Sequence, residues 1–257
     1  MYATHVVIPD TQCKPDHDLS FLGWIGQYIC DQFYGKPNVK IIHLGDHWDM
    51  PSLSSYDKGK KSMEGRRVLD DIAAGNDGMA LLDAAVAERN RKAAADKHKK
   101  WKPEKHLLRG NHEERIVRAT EDDAQIDGLL SMDMLKSPGW TVHPFLDVVF
   151  LDGVGYSHYF YNKGNGRPMG GTALNRLKNI GHSFTQGHQQ TLDYAIRFVN
   201  DKSQHALVAG ASYPWSESYL GPQGNYHWRG IVVKHEVRDG SYDPMFVSLD
   251  YLRNRYS

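Results

Sequence analysis

Cysteine is nearly missing from this chain: Cys13 and Cys30 are the whole complement of 257 residues, and their spacing matches no zinc-binding pattern. Two isolated thiols predict reduced side chains in a reducing compartment, not a disulfide framework. Long apolar runs are missing too, with nothing near the roughly 18 residues that a membrane span requires. The opening MYATHVVIPD has no basic stretch leading into an apolar one, so it does not read as a signal peptide. Net charge is absent, since 31 Lys plus Arg balance 31 Asp plus Glu. That excludes attraction of the whole molecule to polyanions and leaves only a local patch for such contacts. No internal repeat or low-complexity tail occurs. These absences predict a soluble, cytoplasmic protein with no membrane contact and no implied protein partner.

Histidine, by contrast, is plentiful at 14 residues, and it is the commonest protein ligand for transition metals. The chain is long enough to bury a full core in one large domain. Val6-Val7-Ile8 and residues 39–44 read as buried strands, with apolar residues at helical spacing over 21–33 between them; strand, helix, strand implies parallel pairing. Residues 50–62 read as a polar loop. A long helical region over 64–100, interrupted near Gly75 and Gly78, reads as an excursion out of the sheet layer, so that residues 50–104 form a helical insertion. A strand over 105–108 and a helical pattern over 113–136 follow. The second half reads as short β-runs at 148–151, 155–160, 206–209, 230–237 and 245–249, with one helix over 164–179 and a hairpin turn at Asp239-Gly240. The expected architecture is α/β: two packed mixed sheets flanked by helices, in one domain.

Five polar segments fall just after expected strands, where open α/β folds gather their sites. They are Asp10-Thr11-Gln12, Gly45-Asp46-His47-Trp48-Asp49, Gly110-Asn111-His112-Glu113, Tyr156-Ser157-His158 and Gly187-His188-Gln189-Gln190. Singly, each has a plain explanation. An Asp at a strand end is a common helix cap or turn former, a lone His in a β-run is a common core residue, and Gly-Asn-His can be a turn. Five in order are harder to dismiss, because carboxylate, carboxamide and imidazole groups on one edge suit divalent cations of borderline hardness.

The pattern resembles the calcineurin-like metallophosphoesterase superfamily, its small stand-alone and phage-encoded members above all. That family carries D-x-H, G-D-x-x-D, G-N-H-[DE], a strand-end His and G-H-x-H in this order. The resemblance spans Asp10 to Gln190; it is specific at the second and third motifs and imperfect at the first and fifth. It implies a four-layer α/β/β/α sandwich with two divalent metal ions at the sheet edge. On that resemblance Asp46 bridges both ions, Asn111, His158 and His188 complete one site, and Asp10, Gln12 and Gln190 serve the other. His112 faces the scissile ester and protonates the leaving oxygen, with Asp49 orienting its imidazole by a hydrogen bond; a water activated by the metal pair attacks the phosphorus.

Gln12 and Gln190 depart from the family, which places histidines there. A glutamine carbonyl is a harder, weaker ligand, so the site that they serve is rich in oxygen and favours Mn²⁺ or Mg²⁺ over Zn²⁺. Paired Mn²⁺ is the favoured expectation, with Mg²⁺, iron and Zn²⁺ as alternatives; a loosely held ion at the site of Gln12 and Gln190 fits as well. The segment 107–113 looks like that of the Ser/Thr protein phosphatases, but Met50 stands where they carry a phosphate-gripping arginine. For substrate, Lys58, Lys60, Lys61, Arg66 and Arg67 form a basic cluster that is either a solvated loop or a contact for a nucleotide or nucleic-acid backbone. Tyr213, Trp215, Tyr226, His227 and Trp228 form an aromatic group for base stacking or for packing under a loop. Three functions follow: a phosphodiesterase acting on nucleotides or nucleic acid, a phosphomonoesterase or phosphoprotein phosphatase, and a non-catalytic metal-binding module. Asp49 and His112 together speak against the third, because neither is needed merely to hold metal.

Overall fold

In the computed structural model, which describes residues 2–217 and 227–257, two mixed sheets pack face to face. The first has six strands. Ala3–Ile8 (β1), Val39–His43 (β2), Glu104–Leu108 (β3) and Thr141–His143 (β4) run parallel. Gly230–Arg238 (β10) and Ser241–Ser248 (β11) extend it antiparallel from β1, in the order β11-β10-β1-β2-β3-β4. The second holds Val149–Leu151 (β5), Val154–Ser157 (β6), Phe184–Gln186 (β7), Leu192–Val199 (β8) and Lys202–Ala209 (β9), in the order β5-β6-β7-β9-β8 with β6, β7 and β9 parallel.

The apolar runs of β1 and β2 are continuous because both faces of these strands are covered. Val6, Ile8 and Ile41 point to one side, where they meet Phe21, Leu22 and Ile25 of helix Ser20–Phe33 (α1), Ile72, Met79 and Leu82 of Val68–Ala95 (α2) and Leu252 of Leu249–Tyr256 (α5). Val7, Ile42 and Leu44 point the other way and pack on Tyr156, Leu207 and Ala209 of the second sheet. Phe184 and Ala206 face outward against Ala173 and Leu177 of Ala173–Ile180 (α4). Three cores between four layers make an α/β/β/α sandwich. Each fully buried Leu, Ile or Phe side chain contributes about 1.5–3 kcal/mol to it.

Four sequence expectations are revised. Helix α2 does not break at Gly75 or Gly78. These glycines are contact points: a Cβ on Gly75 would lie 1.9 Å from the Trp48 ring, and one on Gly78 would lie 2.7 Å from Cys13 Sγ. Nor is the segment 50–104 an excursion out of the layers, because α2 is the crossover between β2 and β3 and lies along α1. The approach is so close that a Cβ on Gly26 would sit 2.3 Å from the Leu82 carbonyl oxygen. The helical pattern after Glu113 ends early, as Arg115–Asp122 (α3), with two 3₁₀ turns beyond it. Helix α4 starts only where the Thr172 hydroxyl accepts from Asn175 N and stops at Gly181, whose φ is 84°. Strands β4 and β8 and helix α5 were not anticipated; the first two are sheet edges, half-exposed and only weakly patterned. Both cysteines are free and buried, and no described helix is long and apolar enough to cross a membrane.

Candidate metal centre

Strands β1, β2, β3, β6 and β7 end at one rim of the sandwich, and each hands one polar segment to it. Glycines let the segments close up. A Cβ on Gly110 would fall 2.1 Å from Asp46 Oδ1, and one on Gly187 would fall 2.4 Å from Asp10 Oδ1. The backbone is also bent hard here: Gln12, Asp46, Met50, His188 and Gln190 adopt left-handed φ of 42°, 49°, 50°, 66° and 58°. That conformation costs a non-glycine residue about 1–2 kcal/mol, and such strain gathers at functional sites.

Lone pairs converge at the centre. Nδ1 of His158 donates to the Leu44 carbonyl at 2.8 Å, so Nε2 of the neutral ring is an acceptor. It faces two more acceptors, Asn111 Oδ1 at 3.0 Å and Asp46 Oδ2 at 3.3 Å. A positive charge reconciles these atoms, either a proton on Nε2 or a cation among them. The balance at His158 says the same: burial, the largest single influence, would lower its pKa, but Asp46, Asp10 and the Leu44 carbonyl together outweigh it and raise it to about 9. Asp46, His158 and His188 are the one group of three acidic, His or Cys side chains, among the described residues, whose ligand atoms lie within 4.8 Å of one another. Burial, with His158 beside it, lowers His188 to about 4, which leaves it the neutral ring that a metal ligand needs.

Asp10 and Gln12 approach from β1. Asp10 Oδ1 accepts from the backbone amide of His188 at 3.0 Å. Asp10 Oδ2 and Gln12 Oε1 are buried with no hydrogen-bond partner. An orphaned buried oxygen costs about 1–3 kcal/mol, and a bound cation would satisfy both. Burial and the nearby Asp46 push the Asp10 carboxyl up to about 7, against the pull of His158; a cation in contact would bring it down again. The donor set therefore fits divalent metal. Gln190 differs, because its Oε1 already accepts from the Tyr213 hydroxyl at 2.5 Å, which leaves it one lone pair.

At the outer side Nδ1 of His112 donates to Asp49 Oδ1 at 2.7 Å, and its Nε2 lies 3.7 Å from Asp46 Oδ2. The backbone amide of His112 donates to Asp46 Oδ1 at 2.9 Å. The imidazole is thus held at both ends of its segment, with one nitrogen turned to the centre.

Sequence reasoning assigned no part to three residues. Glu113 accepts from the amides of Asp46, His47, Trp48 and Gly110 and so ties the second and third segments together. Lys14 sets its ammonium 2.5 Å from Glu217 and 3.6 Å from Asp49. Arg115 reaches back from α3 to His112 Nε2 at 3.2 Å; its position three residues after His112 at a helix start was the available signal.

The expected substrate contacts fare less evenly. Lys58, Lys60, Lys61 and Arg67 are exposed, but Arg66 is bound to the Pro51 carbonyl, and Arg66 and Lys60 both pair with Asp57. Tyr213 is wholly buried and covered by the Arg229 guanidinium at 4.1 Å, so it offers no stacking face. Trp215 packs on Phe21 and His17. His227 and Trp228 line a cavity with Trp24 and Arg253, and Tyr226 lies outside the described residues. No family model matches the chain and no curated protein matches it.

Proposed function

We propose that this protein is a metal-dependent phosphoesterase of the calcineurin-like type, most suited to phosphodiesters of nucleotides or nucleic acid. The observation that carries the reading is the convergence of His158 Nε2, Asn111 Oδ1 and Asp46 Oδ2 beside two orphaned oxygens, on Asp10 and Gln12, with a separately oriented imidazole facing them. In this reading Asn111, His158 and His188, with Asp46, would hold one cation, and Asp10, Gln12 and Gln190, also with Asp46, would hold the other. The oxygen-rich second set favours Mn²⁺ or Mg²⁺. When bound, the pair supplies Lewis acidity toward the phosphoryl group and a water of lowered pKa.

The chain's own residues supply the rest. Asp49 fixes the His112 tautomer with the proton on Nδ1, so a second proton on the ring resides on Nε2. From there it passes to the departing ester oxygen, a contribution of about 10²–10⁴-fold. A site built only to store metal needs neither residue.

Chelator-treated protein should hydrolyse neither bis(p-nitrophenyl) phosphate nor p-nitrophenyl phosphate, and Mn²⁺ should restore turnover better than Zn²⁺, with the diester preferred. Full activity without metal would sink the mechanism. Preference for the monoester would leave the mechanism standing and replace the diester reading by a phosphomonoesterase. Metal binding without turnover of either ester would leave the metal-binding module.

A further inference from the structure

Among the described residues, Arg115 is the cation that touches the candidate general acid, and no carboxylate oxygen lies within ion-pair distance of its guanidinium. It projects from the first turn of α3, and Nη1 donates to the carbonyls of Asp49 at 2.9 Å and Met50 at 3.2 Å. These two bonds pin the planar guanidinium and aim its other edge at the centre. There Nη2 donates to His112 Nε2 at 3.2 Å, and that nitrogen itself lies 3.7 Å from Asp46 Oδ2. Among the described residues Arg115 has no carboxylate partner within 4 Å, whereas Lys14 pairs with Glu217 and Asp49, and Lys60 and Arg66 pair with Asp57. A guanidinium held by neutral carbonyls, with no carboxylate in contact, keeps donors and charge available to a ligand.

We infer that Arg115 is the phosphoryl-binding residue of the site, gripping a non-bridging oxygen of the substrate phosphate on the leaving-group side. The inference rests on the phosphoesterase reading and adds to it the group that recognises the anion. A neutral imidazole nitrogen is a weaker acceptor for Nη2 than a phosphoryl oxygen, because only the phosphoryl oxygen brings a negative charge to meet the guanidinium. When Nη2 transfers to the phosphate, it exchanges its contact with His112 Nε2 for one with the anion. The planar fork matters as much as the charge: with Nη1 committed to two carbonyls, only an arginine has donors left in a fixed direction.

The test compares wild type, Arg115→Ala and Arg115→Lys, each loaded with Mn²⁺. Three readouts apply: inorganic phosphate binding by calorimetry, kcat and KM on a p-nitrophenyl ester, and metal content by elemental analysis. Arg115→Ala should keep its metal, bind phosphate at least about 10-fold more weakly, and lose about 10²-fold in kcat/KM, the scale for removing one donor to a developing charge. Added guanidinium ion should recover part of that loss. Arg115→Lys should fall between the two and not respond to guanidinium, which keeps the idea testable if the alanine variant folds poorly. Phosphate binding unchanged in both variants would overturn the inference while leaving the phosphoesterase reading intact. Loss of metal in step with loss of phosphate, without guanidinium recovery, would overturn it in favour of a purely structural role for the Asp49 and Met50 contacts. A wild type that binds phosphate through Arg115 yet hydrolyses no ester would sink the enzymatic reading and leave Arg115 as an anion-binding residue.

Discussion

Replacing Glu113 by glutamine exchanges one oxygen of a carboxylate at which four backbone amides point. Oε1 accepts from His47 at 2.6 Å and from Trp48 at 3.1 Å, while Oε2 accepts from Asp46 at 3.1 Å and Gly110 at 2.8 Å. The residue is 1% exposed, so solvent offers no substitute acceptor. A glutamine keeps one of the two oxygens and turns an NH₂ toward the other two donors. Each buried N–H left without an acceptor costs about 1–3 kcal/mol, so Glu113→Gln should destabilise the protein by about 2–6 kcal/mol. Glu113→Ala orphans all four donors and should cost at least about twice as much, against a total stability of about 5–15 kcal/mol for a typical domain. Function should suffer in parallel, because the amide of Asp46 loses its anchor and Asp46 holds a left-handed φ of 49°. Urea denaturation of chelated protein measures the first effect, and Mn²⁺ titration of the folded variant measures the second. A glutamine variant within about 0.5 kcal/mol of wild type, with unchanged Mn²⁺ affinity, would refute the claim that this carboxylate holds the metal-binding loops.

Two further substitutions separate binding from catalysis. His112→Ala should retain metal by elemental analysis yet lose roughly 10²-fold or more in turnover on esters with poor leaving groups, whereas Asp46→Asn should lose metal; the reverse pattern would exchange their assigned roles. The double change Gln12→His with Gln190→His should shift preference toward Zn²⁺ or iron in a competitive titration. Most of that shift should come from Gln12, whose Oε1 has no partner, and less from Gln190, whose Oε1 is shared with Tyr213. Unchanged preference in a folded double variant would mean that neither side chain faces metal.

The strands of the centre and the polar segments at their ends were legible in the chain because local signals carry them. Val6-Val7-Ile8 stops at Pro9-Asp10, and residues 39–44 stop at Gly45-Asp46, so a buried run and its loop can be read side by side. The continuity of α2 was not legible. Gly75 and Gly78 have low helix propensity, and only the tertiary neighbours Trp48 and Cys13 explain why glycine is needed at both. Edge strands β4 and β8 escaped notice because a half-exposed strand has little reason to be uniformly apolar.

By itself the sequence determined which chemical groups are available, in what order they come, and that each follows a strand. It also determined the α/β class, since the alternation of buried runs and amphipathic helices is a local property. Only the tertiary structure decided which atoms of those groups are left without partners. Asp10 Oδ2 and Gln12 Oε1 are orphaned while Gln190 Oε1 is not, a difference made by Tyr213, which lies 23 residues further along the chain. Likewise, Lys14, Arg66 and Arg115 are alike as cations in the sequence. What sets Arg115 apart is that α3 carries it to His112 with no carboxylate oxygen of the described residues within 4 Å of its guanidinium, near enough to the Asp49 carboxylate to stabilise its charge but not to pair with it, and distance between charges is a property of the fold.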